Sequence, residues 1–578
     1  MKVLGVAYGH NATVCLAIDG EIKFIQSEER LNRIKNSTGF PHLTIKYIDE
    51  NICSLNTIDE IVIFQSSIYG YKFLVQTGFK SVQYGGYLDA SQEIVSPIKR
   101  LRSFDVIWNF ENKLRKLLNK FMSPKINLTF TDYIKKSTLS SIPVTFLDHH
   151  QSHALSCLPF IDLDNDWLII TLDSAGDFLS GTISVQHNGK MERLLSITHE
   201  NSIGSFYSAV TKYLGMRPGE HEYKVMGLAP YADEKYCQHL IKSLKEIVSL
   251  DKNGKIDFKF SPATLPKHLD RIFKNQRFDN ISYAIQTITE ELISDLTKFW
   301  IERTNIKKVA LAGGVFMNVK ANLKILKLDL IEKLVVVPSA GDESTAIGAA
   351  LFPFIQKNIP ILPIQHLYLG ANFSDEDILK TLTENNVAHT FFDDIETKVG
   401  ELLAEGQIVA RFKGPMEFGA RALGNRSILA NPSSFRTVDH INKAIKMRDF
   451  WMPFCPSILE EDKYEYVQDY VSKADLNYMS IAVEGKAASI DKIVAASHPR
   501  DETIRPQFVS RETNPEYHRL ISAFKNHTGI GAVLNTSFNL HGEPNVCSPT
   551  DALNTYFNSG LKYLAIGSYL LEKPASSN

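Results

Sequence analysis

Apolar runs of five or six residues, cut by short polar turns, open the chain and set its fold class. Residues 3–8, 13–18 and 21–26 each read as a strand, joined by Gly9-His10-Asn11 and by an Asp19-Gly20 hairpin turn. The pattern then returns: residues 167–172 form a strand, 173–177 a polar loop, 182–186 a second strand, and Asn188-Gly189 a second hairpin turn. Two copies of strand, small polar loop, strand and turn predict a duplicated α/β unit whose loops face each other across a cleft.

Elsewhere the apolar positions change to a helical period. Ile107, Phe110, Leu114, Leu117, Leu118 and Phe121 share one helix face, with Lys113, Arg115, Lys116 and Lys120 on the other, as expected of a solvated amphipathic helix. A longer stripe, Ile281, Ala284, Ile285, Ile288, Leu292, Leu296 and Phe299, precedes a strand at 308–311 and the glycine pair Gly313-Gly314, where backbone can approach a ligand closely. A Pro-rich apolar stretch at 353–365 reads as a domain junction, and a second α/β unit runs from a strand at 407–412 to about residue 573.

Composition narrows the function classes. A chain of 578 residues is too long for one core, and 44% hydrophobic content can fill two. The balance of 63 basic and 65 acidic residues gives no global positive field, so no nucleic acid partner is expected. Six cysteines without a CxxC pair argue against a disulfide framework or a thiolate zinc site. No signal peptide and no run of about 18 apolar residues is present, so a cytoplasmic protein is expected.

Candidate chemistry lies in two groups. In LDHHQSHALS, His149 and His153 stand four apart, so on a helix both point one way; His150 with His153 is a second possible pair. Asp173, ending a buried strand, and Asp342 in VVVPSAGDES could add carboxylates, a donor set suited to Fe²⁺, Mn²⁺ or Zn²⁺, although Asp342 also fits a helix N-cap. The second group follows the junction: Arg421 and Arg426 among glycines, then Lys446 and Arg448, Arg505 in IRPQ, and Asn535, Thr536, Ser537 and Asn539 in LNTSFN. Guanidinium forks, hydroxyls and flexible glycines suit phosphate and planar amide groups, or equally a solvated basic surface. No GxxxxGK[ST] occurs, so the chain is not a P-loop protein.

Taken together, GHNATV, SEERLNRIKNSTGFP, DHHQSH, TLDSAGD, GEHEYKVMGLAPYA, LAGGVFMN, PSAGDES, EFGARALGNRSIL, IRPQ and LNTSFNLHGEP resemble the NodU/CmcH family of O-carbamoyltransferases, which includes the tobramycin and cephalosporin enzymes. The resemblance implies a duplicated actin/sugar-kinase-like (TsaD-like) domain at 1–355 and a YrdC-like α/β domain at 366–578. It implies an enzyme that forms O-carbamoyl adenylate from ATP, with Mg²⁺, and carbamoyl phosphate, then passes carbamoyl to a hydroxyl of a small molecule such as a natural product, sugar or nucleoside. The implied ligands of Fe²⁺ or another divalent metal fall on His149, His153, Asp173 and Asp342, and the catalytic histidine on His10. Carbamoyl phosphate contacts fall on Lys446, Arg505, Asn535 and Ser537, with Arg421 nearby, and cofactor contacts on Gly313, Gly314 and Asn318. A homodimer is a possible assembly.

Three positions depart from the family pattern. Met452 stands where many members have an arginine, leaving Arg448 as a substitute; Ser174-Ala175 break a DGxG loop; Asn11 follows His10 where an aspartate is usual, so a carboxylate to orient that imidazole must come from elsewhere. By turn position alone, His10 also fits a structural role. Acceptor contacts are expected from the variable region 66–145 and from loops near the cleft. Two other classes compete: tRNA threonylcarbamoylation, against which the fused domain order and the charge balance count, and a nucleotide-gated binding protein that makes no AMP.

Overall fold

The computed structural model describes residues 1–64, 82–83, 142–446 and 449–574. The predicted helix at 107–121, Arg448, and the expected acceptor region apart from 82–83 and 142–145 lie outside the described residues. The chain divides into two compact units, Met1–Glu29 with Asn36–Ile364, and Arg30–Lys35 with Gln365–Asn578. The short N-terminal segment joins the second unit through its arginines: Arg30 donates to Gly419 O at 2.8 Å, and Arg33 to Asn545 O at 2.6 Å and Pro544 O at 2.8 Å.

The first unit is built on two five-stranded sheets. Strands β1 (Lys2–Ala7), β2 (Thr13–Ile18), β3 (Glu21–Ser27), β4 (Glu60–Phe64) and β5 (Val144–Leu147) lie in the order β3-β2-β1-β4-β5. The second sheet sets β6 (Trp167–Gly176), β7 (Leu179–His187), β8 (Lys190–Thr198), β9 (Lys308–Ala312) and β10 (Lys333–Val336) in the order β8-β7-β6-β9-β10. In both, the first three strands are antiparallel and the last two run parallel to the first. The duplication predicted from sequence is therefore a repeat of order and direction.

Each sheet feeds a helix from its last strand: α1 (His149–Ser156) after β5, and α4 (Thr345–Gln356) after β10. Two glycines let α4 come close. A Cβ at Gly5 of β1 would stand 2.1 Å from Ala346 O, and one at Gly348 would stand 1.9 Å from Ser152 O of α1. The long stripe from Ile281 becomes α2 (Phe278–Thr304), which ends at Asn305 in the left-handed conformation, φ 57°, with its N–H on Ile301 O. A further short helix, α3 (Val319–Leu326), lies between β9 and β10.

One sequence expectation needs correction. The segment 173–177 is not a simple loop: β6 continues through Gly176 with an irregular register between Leu172 and Gly176. The turn moves to Asp177 and Phe178, both at positive φ, 49° and 66°. The extra residues of a bulged strand re-aim side chains, and here Asp173 is buried while Ser174 and Ala175 face out.

The second unit holds one mixed eight-stranded sheet of β11 (Thr390–Phe391), β12 (Val409–Phe412), β13 (Arg426–Ala430), β14 (Cys455–Leu459), β15 (Gln507–Val509), β16 (Ala532–Ser537), β17 (Tyr563–Ile566) and β18 (Tyr569–Glu572), in the order β11-β18-β17-β12-β13-β16-β14-β15. Strand alternation divides its side chains between two cores. Val409, Leu429 and Val533 pack with helices α5 (Ile395–Ala404) and α6 (Pro515–Thr528), while Ala410, Ile428 and Leu534 pack in the other cluster. Among the described residues no helix is long and apolar enough to cross a membrane. All six cysteines are free thiols.

Candidate functional site

Asp148 starts α1 by accepting the Gln151 N–H at 2.8 Å, so His149 and His153 fall on one side of the first turns. The Nε2 of His149 lies 3.3 Å from Asp173 Oδ2 and 3.7 Å from Asp342 Oδ1. His153 Nε2 lies 3.9 Å and 3.6 Å from the same two oxygens. One donor atom from each of the four residues falls within 4.8 Å of the others. The ligand set implied by the resemblance thus meets at one point, brought there by β6 and by the segments that follow β5 and β10.

His150 does not join them. Its Nδ1 is 3.0 Å from Thr171 Oγ1, on a side of the helix turned toward β6, which removes the His150 and His153 pairing. The N-cap alternative for Asp342 also fails, because neither its 3₁₀ turn nor α4 has a side-chain cap.

Electrostatics at the cluster fit a cation. Burial alone would depress His149, but the Asp342 carboxylate, the Asp173 hydrogen bond and charge, and Asp177 outweigh it and push the imidazole up to about 9. His153 is held down to about 3, by burial first and by His149 second. Burial and the neighbouring Asp173 push Asp342 up to about 6, while Asp173, though burial opposes it, is held below the usual carboxylate range by His149 and the other two histidines. Two carboxylates this close cannot both ionise freely without a positive partner. His153 Nε2 is buried with no hydrogen-bond partner, and a His₂Asp₂ donor set suits a divalent transition metal.

The supporting glycines act sterically. Gly176 leaves room for the His149 ring, since a Cβ there would be 2.1 Å from His149 Cδ2. Gly313, at φ 101°, lies against Leu172, and a Cβ on Gly314 would stand 2.7 Å from Asp173 Oδ1. Asn318 caps α3 through Ala321 N and exchanges hydrogen bonds with Gln286, so its side chain is engaged in the fold. His10 sits on the β1–β2 turn beside the cluster: a Cβ on neighbouring Gly9 would lie 3.9 Å from Asp342 Oδ2.

In the second unit the structure brings Lys446, Ser537, Asn535 and Arg505 to neighbouring positions at one end of β14 and β16. Lys446 Nζ donates to Ser537 O, and to Ser537 Oγ and Asn539 Oδ1 at 3.2 Å and 2.7 Å. Asn535 is the cross-strand partner of Cys455, and the Arg505 guanidinium lies on the Cys455 thiol at 3.0 Å and 3.2 Å. Asn535 Nδ2 is committed to Ala422 O and Ser457 Oγ, both at 3.0 Å, which fixes the amide and leaves its buried Oδ1 without a hydrogen-bond partner. Arg421 precedes Ala422. Met452 is buried.

Arg426, grouped by sequence with the anion-binding candidates, has a structural duty instead. Fully buried, it donates to Lys413 O and Gly414 O, each at 3.0 Å, over the Phe412 ring 3.7 Å away. Sequence reasoning missed Ser457 and Gln507, which hold Asn535 from below: Gln507 Oε1 accepts from Ser457 at 2.8 Å, and its Nε2 donates to Leu423 O at 2.8 Å. Their period-two spacing from Cys455 and Arg505 was the available signal.

Family models for the carbamoyltransferase N-terminus and C-terminus match residues 2–351 and 400–573. The nodulation protein NolNO of Sinorhizobium fredii is 32% identical over 98% of this chain and 80% of its own length. The 3'-hydroxymethylcephem-O-carbamoyltransferase of Streptomyces clavuligerus is 26% identical over 55% of this chain and 58% of its own. Among solved structures, full-length HypF in its phosphate- and nucleotide-bound form is 13% identical with a TM-score of 0.34, covering 62% of this chain and 47% of that one, a likeness from which nothing follows for this chain. With both halves matched by their own models, the chain belongs to the carbamoyltransferase family and is an enzyme of carbamoyl transfer.

Proposed function

We propose that this enzyme forms O-carbamoyl adenylate from ATP and carbamoyl phosphate in its second unit, and passes the carbamoyl group to a hydroxyl of a small molecule in its first. The first unit is read as actin/sugar-kinase-like, supported by the repeated sheet, and the second as YrdC-like. The observation that carries the reading is the placement of His10 beside the four converging donors of His149, His153, Asp173 and Asp342.

In the second unit, Lys446, Arg505 and Arg421 offset phosphate charge, Ser537 donates a hydroxyl, and Asn535 presents an acceptor oxygen to the substrate. Water cleaves carbamoyl phosphate to carbamate and phosphate, a carbamate oxygen attacks the α-phosphorus of ATP as pyrophosphate leaves, and the AMP so attached is a leaving group that the protein can hold and orient. In the first unit, the acceptor oxygen attacks the carbamoyl carbon, its proton goes to the His10 imidazole, and the bond to AMP breaks. Fe²⁺ or another divalent metal, held by His149, His153, Asp173 and Asp342, would supply positive charge against phosphate oxygens. Gly313 and Gly314 let Leu172 and Asp173 pack close, which keeps Asp173 in the donor set.

The two half-reactions give the test. The His10→Ala enzyme should still consume ATP and carbamoyl phosphate to the adenylate while transferring carbamoyl roughly 10²- to 10⁴-fold more slowly, as for loss of a general base. Rapid-quench assays following adenylate and carbamoylated product separately decide it. If both steps fall together, His10 is structural; if wild-type protein makes no AMP at all, the adenylate route is wrong.

A further inference from the structure

A carboxylate from the other half of the unit grips the residue that follows His10. Asn11, at φ 56°, holds the β1–β2 turn in the left-handed region, which asparagine tolerates better than most residues. Its Nδ2 donates to Glu343 Oε2 at 3.2 Å, across 332 residues of sequence. Glu343 is only 4% exposed, accepts from Ser339 Oγ at its other oxygen, and lies against Gly341, where a Cβ would be 2.7 Å from Oε2. The turn is anchored on its far side as well: Thr13 Oγ1 donates to Asn11 O at 2.8 Å, and Ala12 N to Ser37 O at 2.9 Å. Asn11 Oδ1 is buried without a hydrogen-bond partner.

Glu343 follows Asp342 directly, so the residue that grips the His10 turn is the chain neighbour of a cluster donor. Its charge also acts on His153. The peptide plane between His10 and Asn11 moves with the turn that carries both residues. The added amide to carboxylate bond ties that plane to the segment bearing Asp342.

We propose that Glu343 is a positioning residue for His10, acting through Asn11 to fix the imidazole relative to the Asp342 side of the cluster. The inference rests on the reading of His10 as the base. An aspartate at position 11 is incompatible with it, because two carboxylates would meet where the amide now donates. Hydrogen bonds to charged groups are worth enough that losing one should misplace the imidazole population about 10- to 100-fold.

Three variants test it on the full chain. Asn11→Gly deletes the amide but keeps a residue at ease with positive φ, so it should fold; Asn11→Asp sets charge against charge; Asn11→Asp with Glu343→Gln exchanges amide and carboxylate and restores the pair. The measurements are kcat and KM for the acceptor, the rate of adenylate formation, and the histidine ring NMR signal of His10 in metal-free protein. Expected are a fall in transfer kcat of about 10- to 100-fold in N11G and N11D with KM and adenylate formation unchanged, a shifted His10 signal in both, and recovery of rate and signal in the double variant. Wild-type kcat and signal in N11D, or a double variant no better than N11D, overturns the positioning role. A His10 signal that shifts and recovers while transfer kcat never changes keeps the pairing but removes His10 as the base, which separates failure of this inference from failure of the functional reading.

Discussion

Replacing Gly176 with alanine tests the cluster without touching any of its donors. The backbone there is not in the left-handed region, so alanine is conformationally permitted and only space decides. The new methyl would stand 2.1 Å from His149 Cδ2, 2.2 Å from Cγ and 2.6 Å from Nε2, over the face of the ring. Carbon contacts settle near 3.5–4.0 Å, so the ring must retreat by about 1 Å or more. Metal–ligand distances tolerate roughly ±0.2 Å, so His149 Nε2 would leave the set and affinity should drop by at least the 10- to 100-fold seen for lesser disturbances of ligands. The overpacking should also cost about 1–3 kcal/mol of stability. Metal content after dialysis against a graded chelator, with thermal melts of the metal-free protein, reads both effects. A second substitution sharpens the test: His149→Ala removes a buried partner of Asp173 and Asp342 and costs stability in either background, but it should cost less in G176A, where the clash goes with the ring, while metal binding stays lost. G176A protein that holds metal like wild type, or an equal cost of His149→Ala in both backgrounds, would refute the steric reading.

Three further outcomes follow from the same geometry. Folded His149→Ala/His153→Ala protein should retain little metal by elemental analysis and little transfer activity; full occupancy would move the site elsewhere. Arg505→Ala removes a fork that lysine cannot imitate and should slow adenylate formation on the order of 10²-fold or more, read as pyrophosphate exchange into ATP. Asp148, which starts α1, is held below the usual carboxylate range despite burial by its pairing with Arg193 and its bond from Gln151 N. A depressed carboxylate contributes stability above its unfolded value near pH 4 and loses it as pH falls through the lower folded value. The stability gap between wild type and Arg193→Ala, followed by denaturant melts, should therefore be present at pH 6 and close below about pH 4.

How much of this was legible in the sequence depended on whether the cause was local. The strands around Asp19-Gly20 and Asn188-Gly189 could be read because turn chemistry and alternation act over a few residues, and α2 because a 27-residue helix repeats its period many times. His149 and His153 were legible as a pair through helical spacing, yet spacing could not separate them from His150; that needed Thr171 of a neighbouring strand to claim the third ring. Arg426 misled for the converse reason. Guanidinium chemistry is identical whether the partner is a phosphate or a loop carbonyl, and only the fold shows that Lys413 O and Gly414 O occupy it.

The join between His10 and the cluster lay deepest, because it crosses the duplication. In the first half the helix after the last strand carries His149 and His153; in the second half the matching junction carries Asp342 and Glu343, and the bulged end of the first strand carries Asp173. Each half alone holds an incomplete donor set, and α4 brings the second half against β1 only because Gly5 and Gly348 have no side chains. The same approach sets Glu343 within reach of Asn11. A side chain at Gly5 or Gly348 would therefore damage the donor cluster and the His10 turn together, since both are assembled by one packing contact rather than by any motif that contains them.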